Sequence, residues 1–120
     1  MEFNTLLGKT LTKITAVARD EVLFETSTGE KYCLYHEQDC CESVIINDVC
    51  GDLKDLLSSP ITMAEKATSQ ENPDGTKPEQ YQKSFTWTFY KLATVKGYVT
   101  IRWYGSSNGY CSESVSFRKL

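Results

Sequence analysis

The strictest constraint on this chain is the period-two alternation of its last 37 residues, where SFTWTFYKLAT, GYVTIRWY and YCSESVSF alternate strongly between apolar and polar side chains. A repeat of two belongs to strands and not to helices, so these segments predict antiparallel strands. Lys96-Gly97 and the run Gly105-Ser106-Ser107-Asn108-Gly109 supply the turns between them. One face collects Phe85, Trp87 and Phe89, then Val99, Ile101 and Trp103, then Cys111, Val115 and Phe117. That face is expected to be core, because large apolar side chains left in water forfeit about 1.5–3 kcal/mol each. The opposite face carries Tyr90, Arg102 and Tyr104 among threonines and serines, with Asn108 in the following turn. Tyrosines and hydroxyls around one arginine suit a ligand or partner, although threonine and serine are also what the wet side of a sheet ordinarily carries.

The same alternation reaches back to residue 10. Strands are expected near 10–18, 21–27, 30–36 and 41–47, with tight turns at Arg19-Asp20 and Thr28-Gly29. Between 48 and 59, Leu53, Leu56 and Leu57 follow Asp52 at helical spacing, which predicts one short helix or turn. Pro60 opens PITMAEKATS, read as a strand. Residues 69–83 hold Asn72-Pro73-Asp74-Gly75 and Pro78 without apolar periodicity and are expected to form an exposed loop. The predicted class is α+β, mainly β: an antiparallel meander or half-open barrel with one short helix. A chain of 120 residues suits a single domain with one core.

Charge is unevenly spread. Residues 20–80 carry 14 acidic and 4 basic side chains, whereas residues 81–120 carry 1 and 6. An acidic middle repels phosphates, so direct nucleic-acid binding is not expected, and a basic protein surface would suit it better. No apolar run is long enough to span a bilayer, and no secretory signal appears at the start, so a cytosolic setting is expected. Cys33, Cys40, Cys41, Cys50 and Cys111 make an odd number, which in a reducing compartment points to free or metal-bound thiols.

The stretch YHEQDCCESV holds the only histidine. If the third and fourth strands form a hairpin, His36 lies opposite Cys40 with Cβ atoms about 4.5–5.5 Å apart. A nitrogen and a sulfur at that spacing can share zinc, with Asp39 and Cys41 as further ligands and Cys50 as a candidate fourth. Mixed nitrogen and sulfur donors favour zinc over magnesium or calcium. Ordinary burial of a histidine and small thiols is the alternative. A cysteine nucleophile with His36 as base would need an oxyanion hole that one hairpin has little room for, so no enzymatic activity is expected.

The runs LLGKTLTKI, YHEQDCCESV, GDLKDLLSSPITMAE and WTFYKLATVKGYVTIRWYGSSNGYCSESVSF resemble a family of small proteins encoded by phages and prophages. The resemblance covers nearly the whole chain outside residues 69–83. Its H-x-Q-D-C-C-E motif falls on His36, Gln38, Asp39, Cys40, Cys41 and Glu42, and W-Y-G-x-S-N-G-Y on Trp103 to Tyr110. Cys33, Cys50 and Cys111 lie outside both motifs. In size and charge the chain is also similar to anti-CRISPR proteins. The resemblance implies the cytoplasm of an infected bacterial host and a role in blocking an antiviral defence by protein binding, with a type II CRISPR effector nuclease as first candidate. Zinc would then be structural, and Glu37, Glu42, Tyr90, Arg102, Tyr104 and Asn108 are the candidate contacts. The alternative is a sponge for a cyclic-nucleotide immune signal, held by Arg102, Tyr90, Tyr104 and Asn108.

Overall fold

The computed structural model describes residues 2–17, 20–37, 42–69, 84–107 and 113–120. Its strands are β1 (Leu11–Val17), β2 (Glu21–Thr26), β3 (Lys31–Tyr35), β4 (Ser43–Cys50), β5 (Met63–Ser69), β6 (Ser84–Thr94), β7 (Gly97–Ser107) and β8 (Ser116–Lys119). They form two antiparallel four-stranded sheets, ordered β1-β2-β3-β8 and β4-β7-β6-β5. The expected mainly β, antiparallel class is what the chain adopts. It is divided into two sheets and is not closed into a barrel.

The predicted short helix is a 3-10 turn, Leu53–Leu56, capped by the Asp52 side chain accepting from the Lys54 amide at 2.9 Å. Leu56 drops fully into the core from this turn. Another 3-10 turn, Phe3–Leu6, stands before β1. Among the described residues no helix is long and apolar enough to cross a membrane.

One core joins the sheets. Val22, Phe24, Tyr32, Leu34 and Phe117 enter it from the first sheet, and Val44, Ile46, Ala64, Tyr90, Leu92, Val99, Ile101 and Trp103 from the second. Phe3 wedges between them, edge-on to Tyr90 at 4.6 Å, to Phe117 at 5.3 Å and to Phe24 at 6.5 Å. Such edge-to-face arrays add attraction beyond the apolar area they bury.

The register of β6 and β7 corrects the expected faces. Thr94 pairs with Gly97 across the Val95-Lys96 turn, so odd residues of β6 oppose even residues of β7: Trp87 faces Tyr104, and Tyr90 faces Ile101. The inward set is therefore Thr88, Tyr90 and Leu92 with Val99, Ile101 and Trp103. Phe85, Trp87 and Phe89, expected inside, lie on the outer face beside Arg102 and Tyr104. Tyr90, expected on the wet face, is 1% exposed and donates its hydroxyl to the Val115 carbonyl at 3.3 Å. Burial raises its pKa. Val115 and Phe117 are buried as expected; Cys111 lies outside the described residues.

The hairpin expected between the third and fourth strands is also corrected. β3 pairs with β2 and β8, and β4 pairs with β7, so the chain crosses from one sheet to the other between Tyr35 and Ser43. Of segment 110–117, read as one strand, residues 110–112 lie outside the described residues, 113–115 are not in a strand, and β8 begins at Ser116. Of the expected loop 69–83, Ser69 closes β5 and the rest lies outside the described residues.

Candidate functional site

Strand parity sets the first candidate site. Tyr32 and Leu34 of β3 point inward, and His36 continues their parity beyond the strand end; Glu42 precedes the inward Val44 and Ile46 of β4 in the same way. Both side chains therefore turn into the space between the sheets where the chain crosses. The return crossing from β7 to β8 passes beside them. His36 Nδ1 donates to the Ser114 carbonyl at 2.7 Å, and Nε2 lies 3.1 Å from Glu42 Oε1. Their side chains are 4% and 0% exposed.

Hydrogen-bond chemistry constrains this pair. A carbonyl only accepts, so Nδ1 carries a hydrogen. A hydrogen bond between Nε2 and Oε1 then requires a proton on one of the two atoms, a place that a bound cation would otherwise take. Removing either partner of a buried pair of this kind alone is costly.

The return crossing is pinned separately. Glu113 accepts from Thr86 Oγ1 at 2.8 Å and from Ser107 Oγ at 2.5 Å. Its main chain packs against Gly105, where a Cβ would stand 2.8 Å from the Glu113 carbonyl oxygen.

Of the residues expected to hold zinc, the structure places His36; Asp39, Cys40 and Cys41 lie outside the described residues. Cys50 ends β4, eight residues from Glu42 and so roughly 25 Å along the strand. There it is exposed and hydrogen-bonds Asp48, which removes it as a ligand beside His36. Cys33 is buried against Glu21, and desolvation first, then that hydrogen bond, push its thiol up to about 11. Among the described residues no group of three or more histidine, cysteine, aspartate or glutamate side chains is placed to hold a metal. The His36 and Glu42 donors nevertheless have the spacing of neighbouring ligands on a tetrahedral zinc, roughly 3.3 Å for bonds of about 2.0–2.2 Å. The Nδ1 bond to a carbonyl is the usual outer contact of a ligating histidine.

The second candidate site is the outer face of the second sheet. A bulge between Ile46 and Asp48 brings in Asn47 as an extra residue, and its Oδ1 accepts from Arg102 Nε at 3.0 Å and from Nη2 at 2.6 Å. So held, the Arg102 guanidinium lies over Trp87 with its carbon 5.1 Å from the ring centroid. Trp87 meets Tyr104 edge-on at 4.5 Å, and Tyr104 stacks on Phe85 at 6.3 Å. The result is a ladder of one cation and three rings across β6 and β7, in which Trp87 is only 3% exposed. Of the expected contacts, Arg102 and Tyr104 belong to it, Tyr90 does not, and Asn108 lies outside the described residues. Glu37 is exposed at the crossing, where it accepts from the Tyr35 hydroxyl at 3.3 Å.

Glu113, Ser114, Asn47 and Trp87 are site residues that the sequence reading did not assign. Trp87 was recoverable, because a two-residue turn between Thr94 and Gly97 fixes which of its neighbours it faces. Ser114 was not, being 78 residues from His36.

Fold and sites together define an antiparallel two-sheet β domain with a polar crossing at one end and a cation–aromatic ladder on one face. By its match over residues 4–117, the chain belongs to a family described as a domain of unknown function, DUF7448. Neither a curated protein nor a solved structure matches it.

Proposed function

We propose that this chain is a binding protein that acts by occupying a partner's surface. The observation that supports this reading best is the Arg102–Trp87–Tyr104 ladder. Arginine and tyrosine are among the residue types that dominate binding energy at protein interfaces; the buried Trp87 serves as the platform beneath Arg102, and side chains already held by Asn47 and by one another lose little freedom on association. The phage setting that the sequence resemblance implies makes a host antiviral defence the target class, with a type II CRISPR effector nuclease first. The surplus of acids in residues 20–80 favours encounter with a basic effector surface.

Zinc belongs to the same proposal as a structural ion at the crossing. His36 is its anchor, Asp39, Cys40 and Cys41 are the further ligands expected from the sequence, and the Glu42 carboxylate stands at ligand spacing.

The test is co-elution with the effector and inhibition of its DNA cleavage, using the wild-type chain and Arg102→Ala and Tyr104→Ala variants. Wild-type inhibition, weakened at least tenfold in both variants, supports the reading. Failure of co-elution and inhibition across several effectors removes the CRISPR target. Inhibition undiminished by either variant removes the ladder as the contact surface.

A further inference from the structure

Four strands stand at sheet edges: β1 and β8 in the first sheet, β4 and β5 in the second. An open edge presents unpaired amides and carbonyls, and folds ordinarily blunt it with a bulge or a short strand. β1 is broken by a register shift between Leu11 and Lys13, β4 by one between Ile46 and Asp48, and β8 has only four residues. β5 differs, because its seven residues pair with β6 in unbroken register from Met63–Ala93 to Ser69–Trp87. From Glu65 to Thr68 every residue is exposed, whichever face its parity gives it, whereas a covered strand hides every second side chain. Among the described residues, Ala64 to Thr68 have no main-chain hydrogen bonds beyond the ladder with β6.

The space beside this edge is walled but not filled. The Phe3–Leu6 turn packs next to β5, and a depression of about 480 Å³ lies there, lined by Glu2, Phe3, Asn4, Ala64, Glu65 and Lys66. The strand also carries charge in a fixed order. Glu65 has the outward parity of its β6 neighbour Lys91, and Lys66 the inward parity of Tyr90, where the sheets part and the lysine stays exposed. Among the described residues neither forms an ion pair. An inward lysine on an edge penalises a second sandwich that would bury it, but not a single chain segment lying along the rim in water.

The charges also decide between occupants. Antiparallel strands set residues of like facing opposite one another. If two copies paired over the whole of β5, Met63 of one would meet Ser69 of the other and Lys66 would meet Lys66; a shift of two residues would set Glu65 against Glu65. Like charges directly opposite destabilise a pair, whereas a foreign segment can carry the complementary order. We propose that the open edge of β5 takes up an extended segment of a partner protein, which adds to the second sheet as a fifth strand antiparallel to β5, with an acidic side chain opposite Lys66 and a basic one opposite Glu65. Main-chain hydrogen bonds supply the affinity and the two charge contacts set the register. The ladder lies on β6 and β7, so failure at this edge leaves that reading standing.

The experiment is an NMR titration of the ¹⁵N-labelled full chain with the peptide acetyl-TTVEKVT-amide, whose glutamate falls opposite Lys66 and whose lysine falls opposite Glu65. In parallel the chain is titrated with acetyl-TTVKEVT-amide, which has the same composition and the reverse charge order. Support consists of shifts concentrated at Ala64 to Thr68 and tighter binding of the first peptide by about fourfold or more, the combined effect of two exposed pairs turned from attraction to repulsion. The doubly swapped variant Glu65→Lys with Lys66→Glu should prefer the second peptide instead. Both substitutions are at exposed positions, and peptide-free spectra that overlay on the wild type away from β5 show that the fold persists. N-methylating alternate amides of the first peptide, one set and then the other, should abolish binding for one set only, because every second amide of an added strand faces its neighbour. No shift at millimolar peptide, shifts away from β5, equal affinity for the two peptides, an unchanged preference in the swapped variant, the same response to both methylated sets, or a wild-type chain that sediments as a dimer with its β5 amides protected from exchange would each overturn the proposal.

Discussion

Trp87 and Tyr104 stand directly opposite one another on β6 and β7 with ring centroids 4.5 Å apart, and Arg102 covers the tryptophan from the same face. An outer-face tryptophan that is almost wholly buried contributes to stability like a core residue. Trp87→Ala should therefore cost about 3 kcal/mol, near the low end for large aromatic truncations. Arg102→Ala should cost about 1 kcal/mol, the scale of a partly exposed cation–π contact. Urea unfolding of the three proteins checks both. A Trp87→Ala cost below that of Arg102→Ala would mean that the ring is not anchored as described.

That face also shows where the sequence was legible and where it was not. Alternation marked β1 to β4, β6 and β7 to within about three residues, because a half-buried strand must repeat every second position, whereas PITMAEKATS had no such pattern behind its reading as a strand and only Ser116 and Phe117 of the last predicted strand fall in β8. It could not say which of two alternating sets in β6 faces inward, since Phe85-Trp87-Phe89 is the more apolar set and yet lies outside. Register decided this, through the Thr94–Gly97 pair. The split into two sheets was likewise hidden. Nothing local in YHEQDCCESV distinguishes a hairpin from a crossing, and the Ser114 carbonyl that orients His36 comes from the opposite end of the chain.

The His36–Glu42 pair predicts a strong coupling. Truncating Glu42 leaves the buried His36 Nε2 without its carboxylate, so Glu42→Ala should cost about 3–5 kcal/mol, the range for a broken buried pair, and His36→Ala should also be destabilising. Replacing both together with apolar residues should cost much less than the two losses combined. A double-mutant cycle by chemical denaturation reads the coupling directly. Additive losses would show that the two side chains act independently.

The zinc proposal makes its own prediction. Elemental analysis of purified protein should find stoichiometric zinc, His36→Ala should lose it, and chelation should lower the melting temperature, because metal binding adds to folding free energy. A metal-free wild type with an unchanged melting temperature under chelator would leave His36 and Glu42 as a proton-bridged pair alone.

Glu30 predicts how stability depends on pH. Lys9 first, then Lys119, Tyr32 and Thr28, hydrogen-bond its carboxylate and lower its pKa from 4.5 to about 2. Ionisation is thus easier in the folded chain than in the unfolded one. The resulting stabilisation is fully present above about pH 4.5 and is lost as pH falls toward 2. Through these contacts Glu30 ties the segment before β1 and the last strand to the β2–β3 turn. Glu30→Gln should lower stability at neutral pH and flatten the acid limb of the stability profile between those values. Parallel acid limbs for the variant and the wild type would show that other carboxylates set it.

Gly105 predicts a steric requirement at the return crossing. It lies on the inward side of β7, where Glu113 passes so close that a Cβ would stand 2.8 Å from its carbonyl oxygen, 3.0 Å from its Cβ and 3.3 Å from Val44 Cγ2. The first of these contacts is with backbone, which cannot swing aside as a flexible side chain does. Glu113 is held in place besides, by Thr86 and Ser107. Gly105→Ala should therefore cost about 1–3 kcal/mol, as overpacking does elsewhere. Removing the Glu113 side chain should not restore the loss, because the carbonyl remains. Denaturant unfolding of Gly105→Ala, Glu113→Ala and the double variant separates the cases: Glu113→Ala keeps the carbonyl and the Cβ but loses the anchors to Thr86 and Ser107, so a double variant as stable as Glu113→Ala alone would show that the anchored carboxylate enforces the conflict, whereas a further loss on adding Gly105→Ala places it in the main chain and Cβ.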